Sequence, residues 1–224
     1  MYVGTVMRTE LVTVPPDTTL LSAQQALEAK QINHLLVVDR KGELLGIVSD
    51  RDLKKSWASS ATTLSKNELM YLLDQVTVAS IMAKKTLTIT PGTTIERAAL
   101  LMNQNRINAL PVLEEDELVG IITSSDVITI LLEAIGIEKD SARLTVLVKD
   151  RIGVISDISQ TLREQGINIR SLFTWTAKDH PGVYYLVVRV PANAGEKAAA
   201  SLEKSGFKVL THYVKDLSPY LPGT

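Results

Sequence analysis

One eight-residue pattern occurs twice in this chain, and it constrains the fold more than any other feature. The copies are Gly46-Ile47-Val48-Ser49-Asp50-Arg51-Asp52-Leu53 and Gly120-Ile121-Ile122-Thr123-Ser124-Ser125-Asp126-Val127. Each sets a glycine and two apolar residues ahead of a hydroxyl side chain, with an acid three positions further on. The likeness reaches well upstream. Met7 aligns with Met82, Thr13 with Thr88, Pro16 with Pro91, Thr18-Thr19 with Thr93-Thr94, Ala23 with Ala98, Ile32-Asn33 with Ile107-Asn108 and Val37 with Val112. The offset is 75 residues (91 − 16) and falls to 74 (120 − 46) beyond the turns Asp39 to Glu43 and Glu114 to Glu117. A single deletion confined to a loop is what packed elements on either side permit. A duplication of this extent implies two copies of one supersecondary unit.

Each copy carries the same order of elements. A short extended piece (Leu11 to Val14; Leu87 to Thr90) precedes a proline and a threonine pair suited to capping a helix. Thr93 and Glu96 have capping-box spacing. Apolar residues then recur at helical intervals: Leu20, Ala23 and Leu27, and Ile95, Ala98, Leu101 and Met102. Two apolar strands follow, Leu35 to Val38 and Leu44 to Val48, matched by Leu110 to Leu113 and Leu118 to Ile122. Short continuous apolar strands predict a sheet covered by helices. Between the copies, Trp57 to Thr63 is small and polar and Lys66 to Asp74 reads as helical, an insertion that ends the first copy.

The repeated motif has two readings. A strand running into a helix places Ser49 and Thr123 at helix starts, where free N–H groups and the dipole favour anions. Asp52 and Asp126, one turn further, suit the two hydroxyls of a vicinal diol such as ribose, while the glycine keeps the backbone close. Arg51, with its forked donors, suits phosphate. The plainer reading is a helix capping box and nothing more, since a hydroxyl followed three residues later by an acid satisfies that geometry by itself.

The last third changes character. Arg143 to Val148 reads as a strand and Asp150-Arg151-Ile152-Gly153 as a tight turn. Val154 to Glu164 reads as a helix with Ile155, Ile158 and Leu162 on one face, stopped by Gly166. Ile167 to Thr176 and Val183 to Val190 are strands joined through Lys178 to Gly182. Asn193 with Glu196 is placed to cap a helix ending at Gly206, and Phe207 to Tyr213 is a final strand with an apolar edge. The order βαββαβ is the split arrangement of a ferredoxin-like domain. The tail from Leu217 is expected to fray.

Composition excludes more than it selects. Of 224 residues, 24 are Lys or Arg and 25 Asp or Glu, a net charge of −1 without a basic footprint for nucleic acid or a membrane surface. There is no cysteine, so disulfides and thiolate metal sites are ruled out. His34, His180 and His212 are scattered without paired ligand spacing. No nucleophile elbow or Gly-rich phosphate loop is present. Trp57 and Trp175 are read as packing residues. The first residues lack a basic region followed by an apolar core, so a cytoplasmic protein is expected.

The two glycine-hydroxyl-acid patterns, the threonines before each helix and Leu110-Pro111-Val112 resemble a pair of CBS domains, the Bateman module. That resemblance implies a pseudo-twofold pair with clefts for adenosine ligands: AMP, ADP, ATP or S-adenosylmethionine. By matching position, Asp52 and Asp126 hold ribose, Ser49 and Thr123 lie near ribose or phosphate, and Arg51 near phosphate. Thr13 and Thr88 line the clefts, and Leu110, Pro111 and Val112 flank adenine. The first copy departs from the pattern at His34-Leu35-Leu36-Val37, which lacks the proline. The second has no arginine between Thr123 and Asp126.

Asp150-Arg151-Ile152-Gly153-Val154 and Gly166-Ile167-Asn168-Ile169 resemble an ACT domain. The resemblance implies side-by-side pairing of two chains and an amino-acid site at Asp150, Arg151, Gly153, Val154 and Asn168. The order as a whole resembles the acetoin-utilisation AcuB family of bacteria. The expected architecture is α+β. A tandem CBS pair (1–73 with its helical insertion, then 74–137) precedes a ferredoxin-like ACT domain (138–216) and a tail (217–224). The expected role is a non-enzymatic sensor: a homodimer with no obligatory cofactor, no metal, no nucleic acid and no membrane, acting on a separate enzyme or transporter. The alternative is a structural adaptor with ligand-free clefts.

Overall fold

In both repeats the second threonine of the pair starts a helix. Thr19 Oγ1 accepts the Ser22 amide and Thr94 Oγ1 accepts the Arg97 amide, each at 3.2 Å. Thr93, which has the capping-box spacing to Glu96, closes a turn instead by accepting the Thr90 amide at 3.3 Å. The computed structural model describes residues 1–56, 71, 74–137 and 140–222. It divides into two units, Met1–Ile128 and Thr129–Thr224. The insertion expected over Trp57 to Thr63 and most of Lys66 to Asp74 lies outside the described residues.

The first unit runs β1 (Thr13–Val14), α1 (Leu20–Lys30), β2 (His34–Val38), β3 (Leu44–Ser49), α2 (Asp50–Ser56), α3 (Val78–Ile81), α4 (Ile95–Asn105), β4 (Ala109–Glu114), β5 (Glu117–Thr123) and the start of α5 (Ser124–Ala134). Strand β2 pairs parallel with β1 and antiparallel with β3; β4 pairs antiparallel with β5. Leu20, Ala23 and Leu27 of α1 are buried against Leu35, Val37, Val48 and Leu53. Each fully buried leucine of such a set contributes about 1.5–3 kcal/mol. In the second repeat Ile95, Ala98 and Met102 are the buried positions of α4.

The two repeats exchange their leading segments. Val3 donates its amide to Thr93 O and Gly4 to Pro91 O, and at the equivalent places Val78 donates to Thr18 O and Ala79 to Pro16 O. Arg8 bridges Ile121 of the second repeat, and Ala83, its counterpart, bridges Ile47 of the first. Each β3 or β5 strand is therefore crossed by the chain that opens the other repeat. The motif glycines make room for this crossing. A Cβ on Gly46 would lie 2.7 Å from the Ala83 carbonyl oxygen and 3.0 Å from Met82 Sδ. A Cβ on Gly120 would run into Met7 Sδ and come within 3.3 Å of the Arg8 carbonyl oxygen. The space above both glycines is thus filled by protein, not left for a ligand.

One residue makes the repeats unequal in backbone. Leu36 donates its amide to Val12 O at 3.3 Å. The corresponding residue of β4 is Pro111, which has no N–H to give. The first repeat accordingly has a two-residue strand at Thr13–Val14, whereas the second has only the single bridge of Ile89 to Val112.

The second unit runs β6 (Ser141–Lys149), α6 (Val154–Glu164), β7 (Ser171–Thr176), β8 (Val183–Pro191), α7 (Gly195–Lys204) and β9 (Val209–Leu210). Its antiparallel sheet has the order β7-β8-β6-β9, the expected ferredoxin-like arrangement. Leu144, Val146 and Val148 of β6 pack with Leu186, Val188 and Val190 of β8 and with Ile158, Leu162, Ala198 and Leu202 of the helices.

Several local expectations are corrected. Ile155 is 48% exposed; the buried stripe of α6 is Ile158 and Leu162 with partly buried Val154, four residues apart in turn. Asn193 does not cap α7, which follows directly on a 3-10 turn at Ala192–Ala194 without a side-chain cap. The final strand is only Val209–Leu210, so Phe207 to Tyr213 offers no long edge. Trp175, though 43% exposed, does pack as expected: it stacks on Phe173 at a centroid distance of 5.7 Å and lies tilted against Tyr185 at 5.1 Å, with Arg143 6.0 Å from its ring. The tail, expected to fray, carries a 3-10 turn at Ser218–Tyr220. Asp216 accepts the Ser218 amide at 2.9 Å, and Lys208 Nζ donates to Pro219 O at 2.5 Å.

The crossing makes a direct prediction. Gly46→Ala drives a methyl group against a backbone carbonyl and is expected to destabilise by about 1–3 kcal/mol, the usual cost of overpacking. Gly120→Ala meets chiefly the end of a flexible methionine and is expected to cost less. Urea unfolding of the two variants measures the difference.

Candidate functional site

Both motif acids sit at the same junction of strand and helix. Strand β3 ends at Ser49 and β5 at Thr123. The next amides, of Asp50 and Ser124, donate to Asn33 O and Asn108 O at 3.0 and 2.9 Å. Ser49 donates to Asp52 Oδ2 from both its amide (3.0 Å) and its hydroxyl (2.6 Å), and the Asp52 amide donates back to Ser49 Oγ at 3.3 Å. Thr123 and Asp126 repeat this with 2.9, 2.6 and 3.3 Å. Each pair is a closed reciprocal capping box. The plainer reading of the motif is therefore realised in both copies, and it uses one carboxylate oxygen.

The other oxygen distinguishes the two acids. A carboxylate has roughly four acceptor positions, two on each oxygen. Asp126 Oδ1 accepts both Nε (3.2 Å) and Nη2 (2.8 Å) of Arg8, so with Oδ2 in the capping box every position is filled. Asp52 Oδ1 has no hydrogen-bond partner among the described residues. The backbone position corresponding to Arg8 beside β3 is Ala83, which carries no donor side chain. Arg51, one residue before Asp52, is exposed and likewise without a partner among the described residues; Ser125 holds its place in the second motif.

Electrostatics follow this geometry. Burial pushes the Asp126 carboxyl up, but the Thr123 hydroxyl, the Arg8 guanidinium and the Thr123 amide together outweigh it and hold the group below the ordinary carboxylate range. His34 starts β2 opposite Ser49 and has Asp52 in its electrostatic range. Burial lowers its pKa below 6.5, and the Asp52 charge opposes that only in part.

The remaining candidates fall into two groups. Thr13 is exposed in β1, and Thr88 is half-buried just ahead of the Ile89 bridge. Neither hydrogen-bonds to an acid of the motifs among the described residues. Leu110, Pro111 and Val112 are all buried in β4, Leu110 and Val112 completely. Arg8 is the residue that sequence reasoning missed. It lies 118 positions from Asp126, and only the alignment of Met7 with Met82 hints that both leading segments have equivalent places.

In the second unit, Gly153 takes a left-handed φ of +87° that opens α6. Asp150 donates its amide to Gly182 O at 3.0 Å, and Arg151 is paired with Asp157 at 2.5 Å. Arg151 and Val154 border a cavity of about 270 Å³ together with Lys149, Phe207, Lys208 and Tyr220. Asp150, Gly153 and Asn168 do not line it, and Asn168 is exposed ahead of β7.

Comparison with known proteins places these motifs. Residues 3–59 and 78–133 match the CBS domain family, and residues 142–204 match the ACT domain family. A CBS domain-containing protein of Dictyostelium discoideum is 34% identical over 136 residues, covering 60% of this chain and 94% of that protein. Inosine-5'-monophosphate dehydrogenase of Nitrosopumilus maritimus is 30% identical over 125 residues, but the match spans only 23% of that enzyme. Among solved structures, a putative acetoin utilization protein (AcuB) from Vibrio cholerae is 32% identical, with a TM-score of 0.50 over 59% of this chain and 91% of that one. A CBS-domain containing protein from Agrobacterium tumefaciens is 28% identical, with a TM-score of 0.51 over 58% of this chain and 99% of that one.

The His34 environment has a measurable consequence. Its folded pKa lies below the unfolded value, so the unfolded chain binds the proton first as pH falls. The stabilisation from neutral His34 is complete above about pH 6.5 and is lost as pH drops below that value toward its folded pKa. Unfolding free energy is expected to fall between pH 7 and pH 5, and His34→Gln to reduce that slope. An unchanged slope in the variant contradicts a half-buried histidine held neutral.

Proposed function

This chain belongs to the CBS-domain family and carries an ACT domain after its CBS pair, and from that premise we propose a regulatory sensor that takes an adenosine-containing ligand in the CBS pair. The class is AMP, ADP, ATP or S-adenosylmethionine. The observation that carries the reading is the Oδ1 of Asp52, which has no partner among the described residues, on a carboxylate whose other oxygen is already tied down. A fixed acceptor loses little freedom when it binds, so a ribose diol meets an acid oriented in advance. Arg51, exposed at the preceding position and without a partner among the described residues, has the forked donors that suit a phosphate.

In this reading the ACT domain joins two chains. Its β7 edge supports that role, because Thr174, Trp175 and Thr176 are exposed on an outer strand of the sheet. Arg151 and Val154, at the edge of the 270 Å³ cavity, are the residues we retain for a small carboxylate ligand there. Ligand binding shifts the balance between two arrangements of the assembly by no more than its differential affinity for them. The output is passed to a separate enzyme or transporter.

A second reading has its own observation. Both acids close capping boxes and Asp126 has no acceptor position open. A structural adaptor with ligand-free clefts would look the same and would form a dimer insensitive to nucleotides.

Thermal denaturation separates the two. A ligand that binds only the folded chain at a hundred times its Kd stabilises by about 2.7 kcal/mol. AMP or a related adenosine ligand is therefore expected to raise Tm. Asp52→Ala is expected to remove more of that rise than Asp126→Ala, each measured from its own ligand-free Tm. No rise with any adenosine ligand at millimolar concentration favours the adaptor.

A further inference from the structure

We propose that Arg8 makes the second site selective for adenylates that carry a phosphate. The inference deepens the adenylate reading of the CBS pair and rests on it. Asp126 is the acid a ribose would need at that site, and Arg8 occupies both acceptor positions of its outward oxygen, Oδ1. The inward oxygen, Oδ2, is held by the Thr123 amide and hydroxyl. A diol therefore gains a hold on Asp126 only when Arg8 leaves.

Arg8 is free to leave on the right terms. Its side chain is 56% exposed, whereas that of Asp126 is 16% exposed, so the arginine is the mobile partner and the acid the fixed one. A ligand with a phosphate offers the guanidinium a second anion of matching forked geometry. The exchange keeps the hydrogen bonds: Arg8 passes from carboxylate to phosphate, and two neutral ribose hydroxyls replace its donors on Oδ1. A nucleoside without phosphate must break the ion pair and give Arg8 only water in return. The same residue also supplies the arginine that the second motif lacks, where Ser125 stands in place of Arg51. The first site has no such latch, because Ala83 occupies the corresponding position.

Isothermal titration of the full chain with adenosine and with AMP tests the proposal. In an Asp52→Ala background, which isolates the second site, Arg8→Gln is expected to tighten adenosine by about two- to fivefold, the worth of an exposed ion pair. It is expected to weaken AMP by about tenfold through loss of a charge-assisted phosphate contact. Arg8→Lys, which keeps the charge but not the fork, is expected to fall between. If Asp52→Ala does not fold, the same ratio is read from the weaker phase of AMP and adenosine titrations of the otherwise unaltered chain. An AMP-to-adenosine preference unchanged by Arg8→Gln overturns the proposal. So does loss of all AMP binding in Asp52→Ala while the unaltered chain still binds, which leaves the adenylate reading intact. Failure of the unaltered chain to bind either compound removes that reading and this inference together.

Discussion

A carboxylate locked by one oxygen to the start of its own helix is the constraint on which both candidate sites depend. The lock fixes where the second oxygen points and removes most of its freedom to turn. Capping and ligand binding are thus not rivals for the whole side chain. They divide it, and the chemistry of each site is decided by what meets the remaining oxygen. At Asp52 that oxygen has no partner among the described residues, with Arg51 exposed at the preceding position and a half-buried His34 nearby. At Asp126 it is closed by Arg8. Two repeats with the same order of elements therefore carry two unequal sites, and the inequality comes from a few substitutions: alanine against arginine, arginine against serine, histidine against alanine.

The crossing of the leading segments explains why one of those substitutions acts where it does. Arg8 belongs by sequence to the first repeat but pairs with Ile121 of the second, two residues before Thr123, the acid's own clasp. Without the cross-over it would have no route to Asp126. The glycines that open both motifs are the condition for it. Their place in the pattern has a packing reason, since a methyl group there meets the opposite repeat's backbone or methionine. A residue that reads as part of a ligand motif is in this case part of the joint between the repeats.

Much of this was legible in the residues. The repeat offset is carried by residue identity, and the amphipathic helices, the strand pairs and the βαββαβ order by hydrophobic period and turn residues. The departures have specific causes. Asn193 has the residue type of a cap, but the chain enters α7 through a 3-10 turn and the cap position falls to Ala194. Phe207 to Tyr213 has the composition of a strand, yet only Val209 and Leu210 find a partner on β6. Pro111 marks a family-like motif and, by lacking an N–H, also shortens the strand beside it. Arg8 was invisible because its partner is 118 residues away and nothing in the local pattern announces a contact at that range.

The most direct test of the central claim is a crystal structure of the full chain grown with AMP. The account expects the ribose hydroxyls within hydrogen-bond distance of Asp52 Oδ1, with Oδ2 still clasped by Ser49. A well-ordered nucleotide bound elsewhere while Asp52 Oδ1 stays untouched, or no bound nucleotide at saturating concentration, would contradict it.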